Sequence, residues 1–282
     1  MSDNSGLGKR IKENYEFRAR HYLPRRTHTI IRLDGKAFHS YVKGLDKPFD
    51  EGLIEDMQLT TAYLCENIQG CKFGYTQSDE ISLLLTDFDK LETSAWFDGN
   101  IQKITSISAS MAAAKFNQLR MLRKTSVVET SQPQGPHEIN SIKALTDYEI
   151  EGFKLAVFDS RTFTIPEKDE VLNYFLWRQR DAEKNSVAML AQSLYSHSEL
   201  HKKNGSDMQE MCFQKGHNWN NLDASKKRGS FIMKRRYVNG ILDSETQINE
   251  ENANQFTTRH KWEVVEDTPF FGKDREQILK LF

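Results

Sequence analysis

The run Thr27 to Leu33 (THTIIRL) is short, apolar and rich in β-branched residues, and it stops at Asp34-Gly35. Branched side chains fit a pleated, buried surface, so this run reads as a strand that delivers a carboxylate to its own end. The next segment has a helical period instead. From Glu51, after Pro48 and Asp50, the residues Ile54, Met57, Leu64, Cys65 and Ile68 recur on one helical face up to Gly70. Cys71 to Tyr75 and Ile81 to Thr86 are then two short strands around the polar turn Thr76-Gln77-Ser78-Asp79-Glu80, a hairpin with acids at its tip.

Beyond Gly99, Ile104, Ile107, Met111, Ala114 and Leu119 mark a second long helix. The stretch from Thr125 to Asp147, with two prolines and a glycine, reads as a loop. Phe153 to Pro166 reads as a strand segment turned near Asp159-Ser160, and Lys168 to about Tyr195 as a helix. The order is βαββαβ, an α+β fold in which an antiparallel, ferredoxin-like sheet carries helices on one face. That topology sets the hairpin turn beside the end of the first strand, making Asp34 and Asp79 neighbours. The last third reads as a basic strand pair around Lys226-Lys227-Arg228-Gly229-Ser230 and Met233-Lys234-Arg235-Arg236-Tyr237, a polar linker near 243–255, and a short tail. Ahead of the first strand, Ile11, Tyr15 and Phe17 suggest a helix leading to Pro24.

At 282 residues the chain suits one large domain, or one domain with an extension. Lys and Arg total 39 against 40 Asp and Glu, so nucleic acid would have to be held by local patches rather than bulk charge. Cys65, Cys71 and Cys212 have no paired spacing, which argues against a disulfide framework and suits a reducing cytoplasm. No signal-like or membrane-spanning apolar run occurs, so no membrane partner is expected.

Two carboxylates at neighbouring strand ends are what a Mg²⁺ site for phosphoryl chemistry needs, since hard oxygen ligands hold the ion while substrate phosphates complete its octahedron. Gly35 beside Asp34 lets backbone groups approach a metal or triphosphate closely.

The segments IIRLDGKAFHSYVKGLDKPFDEGL and GYTQSDEISLLL resemble the catalytic core of the tRNA-histidine guanylyltransferase family and its relatives, the reverse (3′-to-5′) nucleotidyltransferases. KRIKENYE, FDSRTFTIP, YFLWRQRD and NWNNLDASKKRGS extend the resemblance over most of residues 8–235. It implies a polymerase- or cyclase-like palm domain over 1–166, with a C-terminal α/β extension over 167–282 that contacts RNA. It also implies that Asp34 and Asp79 bind two Mg²⁺ with the Gly35 carbonyl, and that Glu80 joins them in catalysis. Asp34, Gly35, Lys36, Ala37, Phe38, His39, Ser78 and Asp79, with Lys47, Asp50 and Lys103, would bind the nucleotide. ATP and GTP are the implied substrates. ATP would activate a tRNA 5′-monophosphate to a 5′-adenylylated intermediate, which the 3′-hydroxyl of the incoming nucleotide then attacks. The family also implies a homotetramer, a dimer of dimers.

Where tRNA-histidine-specific members carry His-Ile-Asn-Asn-Leu-Tyr-Asn after WRQ, this chain has Glu183-Lys184-Asn185-Ser186-Val187-Ala188-Met189, and only Asn185 aligns. That favours the guanylyltransferase-like branch and template-directed 5′-end repair. The alternatives are a palm-type nucleotide cyclase and a non-catalytic tRNA-binding protein. Lys226, Lys227, Arg228, Lys234, Arg235 and Arg236 are the residues expected to grip RNA phosphates. Trp177, Phe175 and Leu176 next to Arg178 look like a base-stacking platform but are read as core packing, the commoner role of an aromatic cluster on a helix, with the role of Arg178 left open. His197 and His201 have the spacing of helical metal ligands, without a Glu after His197 or a third ligand.

Overall fold

Strand β1 (His28–Gly35) lies inside a sheet, flanked antiparallel by β3 (Glu80–Leu85) and β4 (Phe158–Ile165). Beyond β3 come β2 (Cys71–Gln77), β5 (Ser230–Asn239) and β6 (Thr257–Val264), giving the order β4-β1-β3-β2-β5-β6 with every pair antiparallel. The structure, a computed structural model, describes residues 6–130, 154–239 and 257–282.

Alternation along the strands sorts two cores. Ile31, Leu33, Ile81, Leu83 and Leu85 point to one face, where α3 (Glu51–Asn67) and α4 (Ile101–Thr130) cover them. Ile30, Leu84, Phe73 and Tyr75 point to the other, against α5 (Lys168–Leu194). The expected βαββαβ unit is therefore present, with α3 and α4 together on one face. The second face is closed by α5 and by Phe271 and Ile278 near the C-terminal end. Ahead of the sheet, α1 (Gly6–Ile11) continues as a wider π-helical turn over Lys12–Glu16 and a tight 3-10 turn over Phe17–Ala19, and none of the three buries a residue. The short α2 (Phe38–Tyr41) follows β1, and α6 (His197–Leu200) and α7 (Gly205–Gln214) pack on the end of α5 through Leu190, Ala191, Leu200 and Cys212.

Four expectations are corrected. Strand β4 is not turned at Asp159-Ser160; it pairs with β1 continuously from Gly35↔Phe158 to His28↔Ile165. Its polar residues reflect alternation, since the Ser160 hydroxyl meets Ser108 of α4 at 2.8 Å while Arg161 reaches toward Asp34. The basic strand pair is a short helix, α8 (Ala224–Arg228), followed by β5. Gly229 makes that switch at φ +78°, and a Cβ there would lie 2.6 Å from the Thr76 carbonyl oxygen. The short tail is a sixth strand and a core segment, with Phe271 stacked on Phe175 at 5.4 Å, ending in α9 (Arg275–Leu279). The loop expected over 125–147 is helical to Thr130; its remainder and the linker near 243–255 lie outside the described residues. Among the described residues no helix is long and apolar enough to cross a membrane.

Candidate active site

The β2–β3 hairpin closes through Ser78-Asp79, with Ser78 at φ +51°, a left-handed geometry that two-residue hairpin turns demand. This turn lies against the end of β1. The Gly35 N–H donates to the Asp79 carbonyl at 3.0 Å, and Asp34 stands opposite Glu80 in the ladder. Asp34 and Asp79, 45 positions apart in the chain (79 − 34), are thereby neighbours, as the topology required. Burial pushes the Asp79 carboxyl up, and the charge of Asp34 adds to that shift; the backbone N–H of Asp79 and the Ser78 hydroxyl oppose it.

Gly35 has a packing reason as well as a chemical one. A Cβ there would lie 2.2 Å from the Phe38 ring, which is buried among Tyr41, Phe116 and Phe158. Ala37, at φ +55°, starts α2, and the Lys36 N–H donates to the Val157 carbonyl at 2.8 Å. Lys36 and His39 are exposed at this end of the sheet while Phe38 is core. Asp50 caps α3, accepting from the Leu53 N–H at 2.7 Å, and shares with Ser78 a cavity of about 80 Å³ that Lys226 and Ser186 also line. Lys47 is exposed three residues before that cap.

Other expected residues stand elsewhere. Glu80 is buried, and its two carboxylate oxygens meet Arg178 Nε and Arg32 at 2.7 Å each, on the α5 face of the sheet. Burial raises its carboxyl while Arg178 and Arg32 pull the other way. It is placed to brace the turn, with both oxygens already engaged by guanidiniums. Lys103 lies at the far end of the sheet: β3 runs from Glu80 away to Leu85, and Ile104 lines a cleft with Leu85 and Thr29. Arg120, the α4 residue that does reach the Asp50 and Asp56 end, is seventeen positions on, roughly 25 Å along the helix. Periodicity places Lys103 on α4 but cannot say which end of α4 meets the turn.

The six basic residues divide. Lys226 is paired with Glu51 and Asp223, Lys227 donates to the Asn220 carbonyl, and Arg228 is held by Asp267 and the Thr268 carbonyl. Lys234, Arg235 and Arg236 are exposed on β5, opposite Trp262, Lys261 and His260 of β6. Arg235 and Lys261 put like charges directly opposite each other across that ladder, an arrangement that an anionic ligand relieves.

Sequence reasoning missed Asp159 and Arg161. Asp159 is the β4 partner of Asp34, and the Arg161 guanidinium lies 3.2 Å from Asp159 and 3.9 Å from Asp34. The FDSR segment is the signal that held them, read as a turn because two polar residues interrupt it. The pairing of Arg32 and Arg178 with Glu80 was also hidden, because Glu80 is remote from both in sequence.

The donor set suits Mg²⁺, which is held by one or two carboxylates with phosphates and water completing the shell. Asp34 and Asp79 repel each other across the turn, and a divalent cation at the pair offsets that repulsion. Among the described residues no group of three or more His, Cys, Asp or Glu forms a site made by protein alone, so softer metals have no ligand cage here.

An antiparallel βαββαβ sheet, helices packed on it and two carboxylates at adjacent strand ends define a palm-type nucleotidyltransferase. Residues 8–166 match the family described as Thg1, tRNAHis guanylyltransferase, and the chain belongs to that family. It is 40% identical to a bacterial tRNA(His) guanylyltransferase (Thg1)-like protein solved in complex with ATP, over 98% of each chain, with a TM-score of 0.76. A bacterial Thg1-like protein solved with GTP is 39% identical over 98% of this chain and 99% of that one, TM-score 0.72. A probable tRNA(His) guanylyltransferase of Drosophila melanogaster is 24% identical, covering 75% of this chain and 68% of the relative.

Proposed function

We propose that the chain extends the 5′ end of tRNA in the 3′-to-5′ direction. The RNA 5′-phosphate attacks the α-phosphorus of ATP, pyrophosphate leaves, and the 3′-hydroxyl of GTP or another nucleotide then attacks the adenylylated 5′-phosphorus, releasing AMP. The observation that carries this reading is the juxtaposition of Asp34 and Asp79 through the Gly35-to-Asp79 hydrogen bond. Asp34 and Asp79, with the Gly35 carbonyl, are the proposed holders of Mg²⁺, which when bound would lower the pKa of the attacking hydroxyl and neutralise the leaving phosphates.

The rest belongs to this chain's own residues. Lys36 and His39, exposed beyond the end of β1, with the α2 turn, Ser78 and the exposed Lys47, are the proposed partners of the triphosphate. Glu80 acts by position, holding Asp79 through its two guanidinium partners. Lys234, Arg235 and Arg236 are the proposed phosphate contacts to RNA, in a C-terminal part over 167–282 that continues the sheet of the 1–166 palm. A cytoplasmic setting is in keeping with three free cysteines, and a homotetramer with the family resemblance.

Template-directed repair of shortened tRNAs is favoured over guanylylation of tRNA-histidine, because Ser186 and Met189, where the histidine-specific motif is not kept, line the cavity beside Ser78. The test is incubation with ATP, GTP, Mg²⁺ and 5′-phosphorylated tRNAs, one full-length tRNA-histidine and one lacking its first nucleotide. Extension of the shortened tRNA, abolished by Asp34→Asn or Asp79→Asn in folded protein, is the expected result. A cyclic nucleotide product, or full turnover in either variant, overturns the reading.

A further inference from the structure

Trp177 is an exception on α5. Tyr174, Phe175 and Arg178 around it are buried, whereas the indole is 53% exposed. The ring is nonetheless held in place. Tyr174 packs on it edge-on at 6.0 Å, the Arg178 guanidinium carbon lies 4.2 Å from its centroid, and that of Arg32 5.7 Å. Both guanidiniums are anchored by the buried Glu80 carboxylate, so the indole rests on a rigid cationic support and offers its remaining surface to solvent. Core packing, the bland reading of an aromatic on a helix, does not describe it.

Its place on the sheet is specific. Arg32 is two residues before Asp34 on the same face of β1, a separation of about 7 Å along the strand. Arg32 is paired across the ladder with Arg161, whose guanidinium lies 3.9 Å from Asp34. An exposed aromatic surface thus rests on Arg32, one side-chain repeat along β1 from Asp34 and on the same face of the sheet as that carboxylate.

We propose that the Trp177 indole is the stacking platform for the nucleobase of a nucleotide whose 5′-phosphate lies at Asp34 and Asp79. This deepens the nucleotidyl-transfer reading and rests on it for the position of the phosphate. The base belongs either to the 5′-terminal residue of the RNA or to a free nucleoside triphosphate. The stacking chemistry is the same for both, because every base has a π-face.

The experiment compares wild type, Trp177→Ala and Trp177→Phe, each checked for an unchanged melting temperature. Tryptophan emission is titrated with ATP, with GTP and with a 5′-phosphorylated RNA hairpin, and dissociation constants for the same three ligands are measured by filter binding. Wild-type emission is expected to be quenched by at least one ligand, and the quench to vanish in both variants. Trp177→Ala weakens that ligand by about tenfold to a hundredfold, while Trp177→Phe, which keeps a ring, restores most of the affinity. Which ligand responds identifies the source of the base. Binding of all three within twofold of wild type in Trp177→Ala overturns the platform, as does equal weakening in Ala and Phe. Absence of a Trp177-dependent quench overturns it even if Trp177→Ala fails to fold. A normal stacking signature in a protein that forms no phosphodiester bond would instead sink the transfer reading and leave the platform standing.

Discussion

The Arg178 guanidinium on α5 donates from Nε to a Glu80 carboxylate oxygen on β3 at 2.7 Å, with both side chains buried. Glu80 directly follows Asp79, so this pair ties the Ser78-Asp79 turn to a helix nearly a hundred residues away in sequence. Removing one member strands a buried charge, at a cost of about 3–5 kcal/mol. Arg178→Met is expected near the low end, because Arg32 still neutralises Glu80. Urea unfolding of Arg178→Met, Glu80→Gln and the double variant forms the cycle, and the double is expected to cost less than the sum of the singles. Strict additivity would show that the pair is not coupled.

The carboxylate pair makes a prediction about pH. The Asp79 carboxyl is raised in the fold by burial and by Asp34, so the folded state holds that proton more tightly than the unfolded chain. The stability it supplies is present at acid pH and is lost as pH climbs through the raised value. Asp34→Asn removes one cause of the shift. In chelator-treated protein the variant should be more stable than wild type at neutral pH, with the difference closing as pH falls and the Asp79 carboxyl takes up its proton. Parallel stability curves across that range would sink the idea.

Gly35→Ala puts a Cβ 2.2 Å from the Phe38 ring, which Tyr41, Phe116 and Phe158 prevent from retreating. Overpacking of this kind costs about 1–3 kcal/mol. Adding Phe38→Leu should recover part of the loss in chemical denaturation. If the single variant is as stable as wild type, the Gly35 requirement is chemical rather than steric.

Asp56, 1% exposed on α3, is bonded by Arg120 at 3.1 Å and Arg123 at 2.9 Å from α4. Its buried charge is what holds the site end of α4 against α3. Asp56→Ala leaves Arg120, itself mostly buried, without its nearest carboxylate and is expected to cost about 3 kcal/mol or more. Thermal melting reads this directly, and a shift of under a degree would refute it.

Asp34 and Asp79 were legible in the sequence because each ends or turns a short apolar strand, and strand order alone brings those ends together. The βαββαβ unit was legible for the same reason: its periodicities of two and 3.6 alternate cleanly from Thr27 to the second long helix. The sixth strand was not, because Thr257–Val264 carries Arg259, His260 and Lys261 near the sheet edge and lacks the apolar run that marks an interior strand. Asp159 and Arg161 were obscured by alternation, since the polar side of β4 looks like a break when the facing strand is unknown.

Local pattern therefore determined the strands and helices from Thr27 to the second long helix, and that two carboxylates meet at one end of the sheet. Tertiary structure alone decided which neighbours act with them. Glu80 points to the α5 face of its strand and is claimed there by Arg32 and Arg178. Lys103 is carried to the far end by the direction in which α4 runs, and Trp177 is left open where its neighbours are buried. Burial, facing and distance depend on contacts between residues far apart in the chain, and no local spacing encodes them.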